Sequence, residues 1–142
     1  MIIVDGKDLV LGRLASFAAK RLLEGEKVVV LNAEQVVISG RKDATLESYR
    51  AWLETRNVAN PRKGPQHPKR PEDIVRRAVR GMLPYDKPKG REAFRRLRVF
   101  VGVPEEFTGK ETAKVPRASL ADLGTRRFIR VGELSKLLGG RF

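Results

Sequence analysis

Thirteen of the chain's 30 Lys and Arg residues fall between Asn60 and Arg98, against four acids, Glu72, Asp73, Asp86 and Glu92. That stretch carries a net charge of +9, while residues 1–59 hold nine basic and eight acidic groups and are nearly neutral. Positive charge placed so densely is the electrostatic footprint of a surface for a polyanion, and phosphate backbones are the commonest polyanion in a cell. Arg outnumbers Lys in the second half of the stretch, which suits bidentate phosphate contacts and stacking on exposed bases. The candidate contact residues are Arg62, Lys63, His67, Lys69 and Arg70 in a Pro-rich segment, Arg76, Arg77 and Arg80 on one helix face, and Lys87, Lys89, Arg91, Arg95 and Arg96 beyond it. Arg41 and Lys42 form a weaker candidate, placed where a helix N-terminus would favour an anion.

Other chemistries find little support. The chain has no cysteine and a single histidine, His67, so disulfides, thiol catalysis and the usual zinc sites are excluded. No Asp/Glu cluster suggests paired-carboxylate or metal chemistry, and no cofactor is expected. The first turn after a strand reads DGKDLVLGRLAS, which has neither G-x-G-x-x-G nor G-x-x-x-x-G-K-[ST]; backbone amides therefore lack the glycine spacing needed to approach a pyrophosphate. Ser39 stands at a strand end but not in G-x-S-x-G, and reads as a turn serine. No apolar run nears 18 residues, and the N-terminus lacks the pattern of a signal peptide. The expectation is a cytoplasmic protein with neither a membrane nor a small-molecule substrate as partner. A basic helix could instead rest on an anionic membrane, but the apolar face of residues 74–82 is small, lacks Trp and Phe, and is needed for packing.

The elements that must position these residues follow from periodicity. At 142 residues one domain, 1–142, can bury about 68–70% of its unfolded surface. Ile2-Ile3-Val4 reads as a strand; Leu11, Leu14, Ala15, Ala18, Ala19, Leu22 and Leu23 mark an amphipathic helix ending at Gly25; Lys27–Leu31 is a second, continuously apolar strand. Together they make a βαβ unit with parallel strands. Val36-Val37-Ile38 is a third strand, and Asp43 is read as the N-cap of a helix through Arg56 whose stripe Leu46, Tyr49, Trp52 and Leu53 packs inward as ordinary core. Residues 56–70 read as an extended basic loop. Pro71 opens a helix that buries Ile74, Val75, Ala78, Val79 and Met82 and presents Arg76, Arg77 and Arg80. A short helix over Arg91–Arg96 leads to a fourth strand within Leu97–Gly102. Residues 103–132 read as irregular, and Glu133–Leu138 as a last helix.

Several of these pieces resemble one family. Val79-Arg80-Gly81-Met82-Leu83-Pro84, Gly90-Arg91 and Leu97-Arg98-Val99-Phe100-Val101-Gly102, at their observed spacing, resemble the signature of the thirteenth large-subunit ribosomal protein. Leu11-Gly12-Arg13-Leu14-Ala15-Ser16, Ile38-Ser39-Gly40, Gly64-Pro65-Gln66-His67 and Thr125-Arg126-Arg127-Phe128 are similar to its archaeal and eukaryotic branch, and the lack of the long eukaryotic C-terminal extension favours an archaeal-type member. The resemblance implies a three-layer α/β/α fold on a mainly parallel four-stranded sheet, no catalytic activity, a place in the large ribosomal subunit, and large-subunit rRNA and neighbouring ribosomal proteins as partners. A free-standing RNA-binding regulator with the same basic face is the alternative, and an enzyme of nucleotide or RNA metabolism has only the α/β pattern behind it.

Overall fold

A computed structural model describes residues 1–54, 69–122, 124 and 127–142. Strand β1 (Ile2–Asp5), helix α1 (Leu11–Leu23) and strand β2 (Val28–Leu31) form the expected βαβ unit, with β1 and β2 parallel in the register Ile2 to Val28 through Asp5 to Leu31. All four residues of β2 are buried, because it is the central strand and both its faces are covered. Helix α1 buries Leu11, Leu14, Ala15, Ala18, Ala19 and Leu22 at three- and four-residue spacing, and Gly25 takes a left-handed φ of 94° just after its end.

Among the described residues the four expected strands fall in two sheets, one of three strands and one of two. Strand β3 (Val37–Ser39) pairs antiparallel with β5 (Phe128–Arg130), while the main sheet has the order β1-β2-β4 with β4 spanning Leu97–Val99. Only residues 32–36 separate β2 from β3, far fewer than the dozen or so needed to return a chain parallel to its neighbour. Asn32, at a left-handed φ of 54°, and a 3₁₀ turn at Ala33–Gln35 swing the chain away instead. Strand β5 lies in the segment expected to be irregular, and it runs directly into helix α5 (Val131–Leu137), which begins earlier than expected.

Helix α2 (Lys42–Glu54) begins at Lys42, so Asp43 lies within its first turn, where its Oδ1 accepts the Ala44 N–H at 3.0 Å, and is not the N-cap. The expected end of α2 at Arg56 and nearly all of the loop 56–70 lie outside the described residues. Helix α3 (Pro71–Arg80) has Pro71 at its first position and Glu72 and Asp73 in its first turn, as the dipole favours. Helix α4 (Pro88–Arg95) starts three residues before its expected start, again on a proline.

One face of the main sheet packs Val4, Val28, Val30, Leu97 and Val99 against α1, α3 and α4. On the other face Ile3, Val29 and Leu31 are covered by Phe100 and by Phe107 from a 3₁₀ turn at Glu105–Phe107, so the described residues complete that face with two rings where the three-layer expectation put helices. Met82, expected in the core, is 46% exposed because α3 ends at Arg80 and the turn that follows carries it outward.

Gly90 fixes how α4 docks. A Cβ there would overlap the Pro84 carbonyl and come within 2.9 Å of the Tyr85 nitrogen, whereas a Cβ at Gly12, on the open side of α1, meets nothing within 4 Å. Gly90→Ala is therefore expected to destabilise the protein by about 1–3 kcal/mol through overpacking. Gly12→Ala is expected to stabilise it by about 0.4–1 kcal/mol through the unfolded chain. Chemical denaturation of both variants checks the contrast, and equal effects would remove this role for Gly90.

Candidate nucleic-acid interface

Helix α3 is amphipathic in the strict sense that decides where its charges go. Pro71, Ile74, Val75 and Val79 are buried, and Arg76, Arg77 and Arg80 are exposed on the remaining arc. Each guanidinium rests over an aromatic ring: Arg76 at 5.1 Å from the centroid of Phe94, Arg77 at 4.8 Å from Trp52, and Arg80 at 4.2 Å from Tyr85. Tyr85 and Phe94 meet edge to face at 5.7 Å, which joins two of the three platforms. Among the described residues none of these three arginines is in an ion pair. A ring below a guanidinium restrains it and adds about 0.5–1 kcal/mol at an exposed site while leaving its full charge available.

The aromatic platform is what the sequence reading missed. Trp52 and Tyr49 were expected as plain core; Tyr49 does pack, with Leu46, against Ile129, Leu134 and Leu138, but both rings are only half-buried on α2, meet edge to face at 6.3 Å, and line an open groove of about 360 Å³ with Ser48, Ile74, Arg77 and Ala78. Burial raises the Tyr49 pKa above its ordinary 10.0, so its phenol stays neutral. Trp52 precedes Arg77 by 25 positions, and no local periodicity signals that pairing. The spacing of Tyr85, Arg91 and Phe94 about Gly90 was a readable signal, because the turn and α4 it opens must fold back on α3.

The other expected contact residues fall into distinct settings. Lys87, Lys89, Arg91 and Arg95 are exposed around α4, and Arg91 also donates from Nε to the Tyr85 carbonyl at 3.1 Å, fastening the turn before the helix. Arg96 is half-buried and donates from Nη2 at 2.7 Å to the Leu22 carbonyl near the end of α1, which also accepts the Gly25 N–H at 3.1 Å. Arg70 pairs with Glu72 at 2.8 Å, and the Lys69 carbonyl accepts the Ser135 hydroxyl while its side chain is exposed. Arg41 pairs with Asp43 at 3.1 Å and Lys42 with Glu133 at 3.3 Å; both are exposed pairs worth little to stability. Arg62, Lys63 and His67 lie outside the described residues. Arg98, not among the expected contacts, is exposed between buried Leu97 and Val99, a period-two alternation already visible in the sequence.

Beyond the C-terminal ends of the strands, where open α/β sheets hold nucleotides, the chain's own polar groups are bonded to one another. The Gly6 N–H donates to the Leu31 carbonyl at 2.7 Å, Asn32 Nδ2 to Asp5 Oδ1 at 2.8 Å, and the Gly102 N–H to Glu34 Oε2 at 3.0 Å. Among the described residues there is no group of three or more His, Cys, Asp or Glu able to hold a metal, and no helix long and apolar enough to cross a membrane.

Residues 1–106 match the family model described as Ribosomal protein L13. The chain is 50% identical to the large ribosomal subunit protein uL13 of Methanocaldococcus jannaschii, with both chains covered in full. It is 46% identical to the protein of that name from Methanosphaera stadtmanae over 99% of this chain and 98% of the relative, and 45% identical to that of Methanosarcina barkeri over the full length of both.

If the rings serve to pre-orient the arginines, Tyr85→Leu should weaken binding to structured RNA by about two- to five-fold at fixed salt, the equivalent of ~0.5–1 kcal/mol, and leave the salt dependence unchanged because no charge is removed. Fluorescence anisotropy over a salt series measures both quantities. A flattened salt slope would show that the ring's role is not orientation.

Proposed function

Because the chain belongs to the ribosomal protein L13 family, and is thus a structural component of the large ribosomal subunit and not an enzyme, we propose that it grips large-subunit rRNA through the arginine face of α3 and the cationic turn around α4. The observation that carries this reading is the set Arg76, Arg77 and Arg80, each held over a ring and none in an ion pair among the described residues. Lys87, Lys89, Arg91 and Arg95 extend the surface, and Arg62, Lys63, His67, Lys69 and Arg70, which precede α3 in the sequence, are further contacts in this reading. Arg41 and Lys42 are further contacts in this reading, once rRNA phosphates compete with Asp43 and Glu133. Arg96 contributes its charge from within the framework.

Recognition of this kind reads shape more than sequence. The deep groove of A-form RNA is closed to side chains, and guanidinium groups on a rigid helix meet phosphates whose spacing depends on how the RNA is folded. The protein thereby holds rRNA segments in place beside neighbouring ribosomal proteins. The chain acts as one domain in this reading, since its main core cluster draws on residues from Val4 through Val131.

Changing Arg76, Arg77 and Arg80 together to Ala is expected to lower the salt slope of binding to large-subunit rRNA fragments by roughly two to three, at about 0.7–0.9 per phosphate contact. The variant should keep its fold, because all three side chains are exposed. Unchanged slope and affinity in the triple variant would remove α3 as the site.

A further inference from the structure

Parallel pairing has an electrostatic consequence at the opposite edge of the sheet. In β1-β2-β4 all three strands start at one edge, and the ladder continues one residue outward: the Ile2 N–H donates to the Lys27 carbonyl at 2.8 Å and the Val28 N–H to the Arg96 carbonyl at 3.3 Å. Lys27 and Arg96 are thus set side by side where β2 and β4 begin. One step inward, Arg98 stands in register beside Val29, on the face covered by Phe107. With Arg95 from the last turn of α4, these four cations surround a cavity of about 280 Å³ floored by Val29 and Phe107, and no carboxylate lines it.

Like charges gathered around a cavity repel one another unless an anion answers them. Among the described residues, Lys27, Arg95 and Arg98 are in no ion pair. The partly buried Arg96 has a carbonyl on Nη2, and its Nε is buried without a hydrogen-bond partner, so the fold carries an under-compensated charge at this spot. Arg98 also borders the neighbouring hollow shared with Arg76 and Glu72, of whose carboxylate Arg70 engages Oε1 while Oε2 is buried without a partner. A cationic track therefore runs from the α3 face across Arg98 to the cavity.

We infer that this cavity is a phosphodiester-binding site: an RNA strand leaving the α3 face crosses Arg98 and seats a backbone phosphate among Lys27, Arg95, Arg96 and Arg98. The inference rests on the rRNA-binding reading and adds a second, separable anchor at the N-terminal edge of the sheet. Phosphate is the chemistry that fits, because two exposed guanidiniums and an ammonium converge with no hydrogen-bond acceptor among their side chains, and the floor is apolar enough to take a ribose edge.

The test pairs a variant with a footprint on the unaltered protein. Lys27→Gln together with Arg98→Gln, neither of them part of the α3 surface, should lower the salt slope of binding to rRNA fragments by roughly one to two. Acetylation of Lys27 in the unaltered protein should be several-fold slower in the RNA complex than in the free chain, a readout that stands even if the double variant fails to fold. If the unaltered protein binds and the α3 triple variant flattens the slope, but the double variant does not or Lys27 remains as reactive as in the free chain, the site is overturned and the α3 reading survives. Protection of Lys27 that appears only when other ribosomal proteins are added would assign the cavity to an acidic protein segment and also overturn the inference. An unaltered protein that binds no rRNA fragment at all would defeat both readings together.

Discussion

Everything at the proposed interface depends on how completely α3 is buried on its inner side. Val75 and Val79 are wholly inaccessible and Ile74 nearly so, packed among α1, β4 and the rest of the main cluster. Burying three branched side chains contributes several kcal/mol, on the order of 1.5–3 for each, and it fixes the rotation of the helix about its axis. With the rotation fixed, Arg76, Arg77 and Arg80 have only the outer arc to occupy. The charge pattern is then a rigid consequence of core packing, which matters because a site that need not be organised on binding loses less entropy when it binds.

The aromatic rings extend the same economy to the side chains. A free arginine has about 2 kcal/mol of rotamer entropy to lose, and a carboxylate partner would restrain it only by neutralising the charge it must offer. Phe94, Trp52 and Tyr85 restrain without neutralising. The acids of this region are held elsewhere: Glu72 and Asp73 sit in the first turn of α3, where the helix dipole favours them, and Glu72 is paired with Arg70. Gly90 completes the arrangement by letting α4 close against the backbone at Pro84 and Tyr85, which brings Phe94 under Arg76.

How much of this was legible in the sequence follows from the range of the interactions involved. The β1-α1-β2 unit and the two faces of α3 were readable because periodicity and caps are local, and the structure places both as expected except for Met82, which lies past the end of α3 and is exposed. The separation of β3 from the main sheet was also within reach, since residues 32–36 are too few for a parallel crossover; the apolar run alone was misleading. Strand β5 was hidden because three residues with only Ile129 fully buried carry almost no periodic signal, and their partner β3 lies some ninety positions earlier. For the site, charge placed the arginines but could not distinguish Arg96, turned toward the carbonyl of Leu22, from its exposed neighbour Arg95. The ring beneath each arginine of α3 was likewise a tertiary fact, as was the cluster at the N-terminal edge of the sheet, which exists only because β2 and β4 run parallel.

The central claim is that the outer arc of α3 meets RNA phosphate directly. A cryo-EM map of the large ribosomal subunit carrying this chain, at a resolution that shows side chains, tests it without any substitution. The account predicts the guanidinium groups of Arg76, Arg77 and Arg80 at about 2.7–2.9 Å from rRNA phosphate oxygens, still stacked on their rings. A map in which that arc faces solvent, or is covered by another protein, would contradict it.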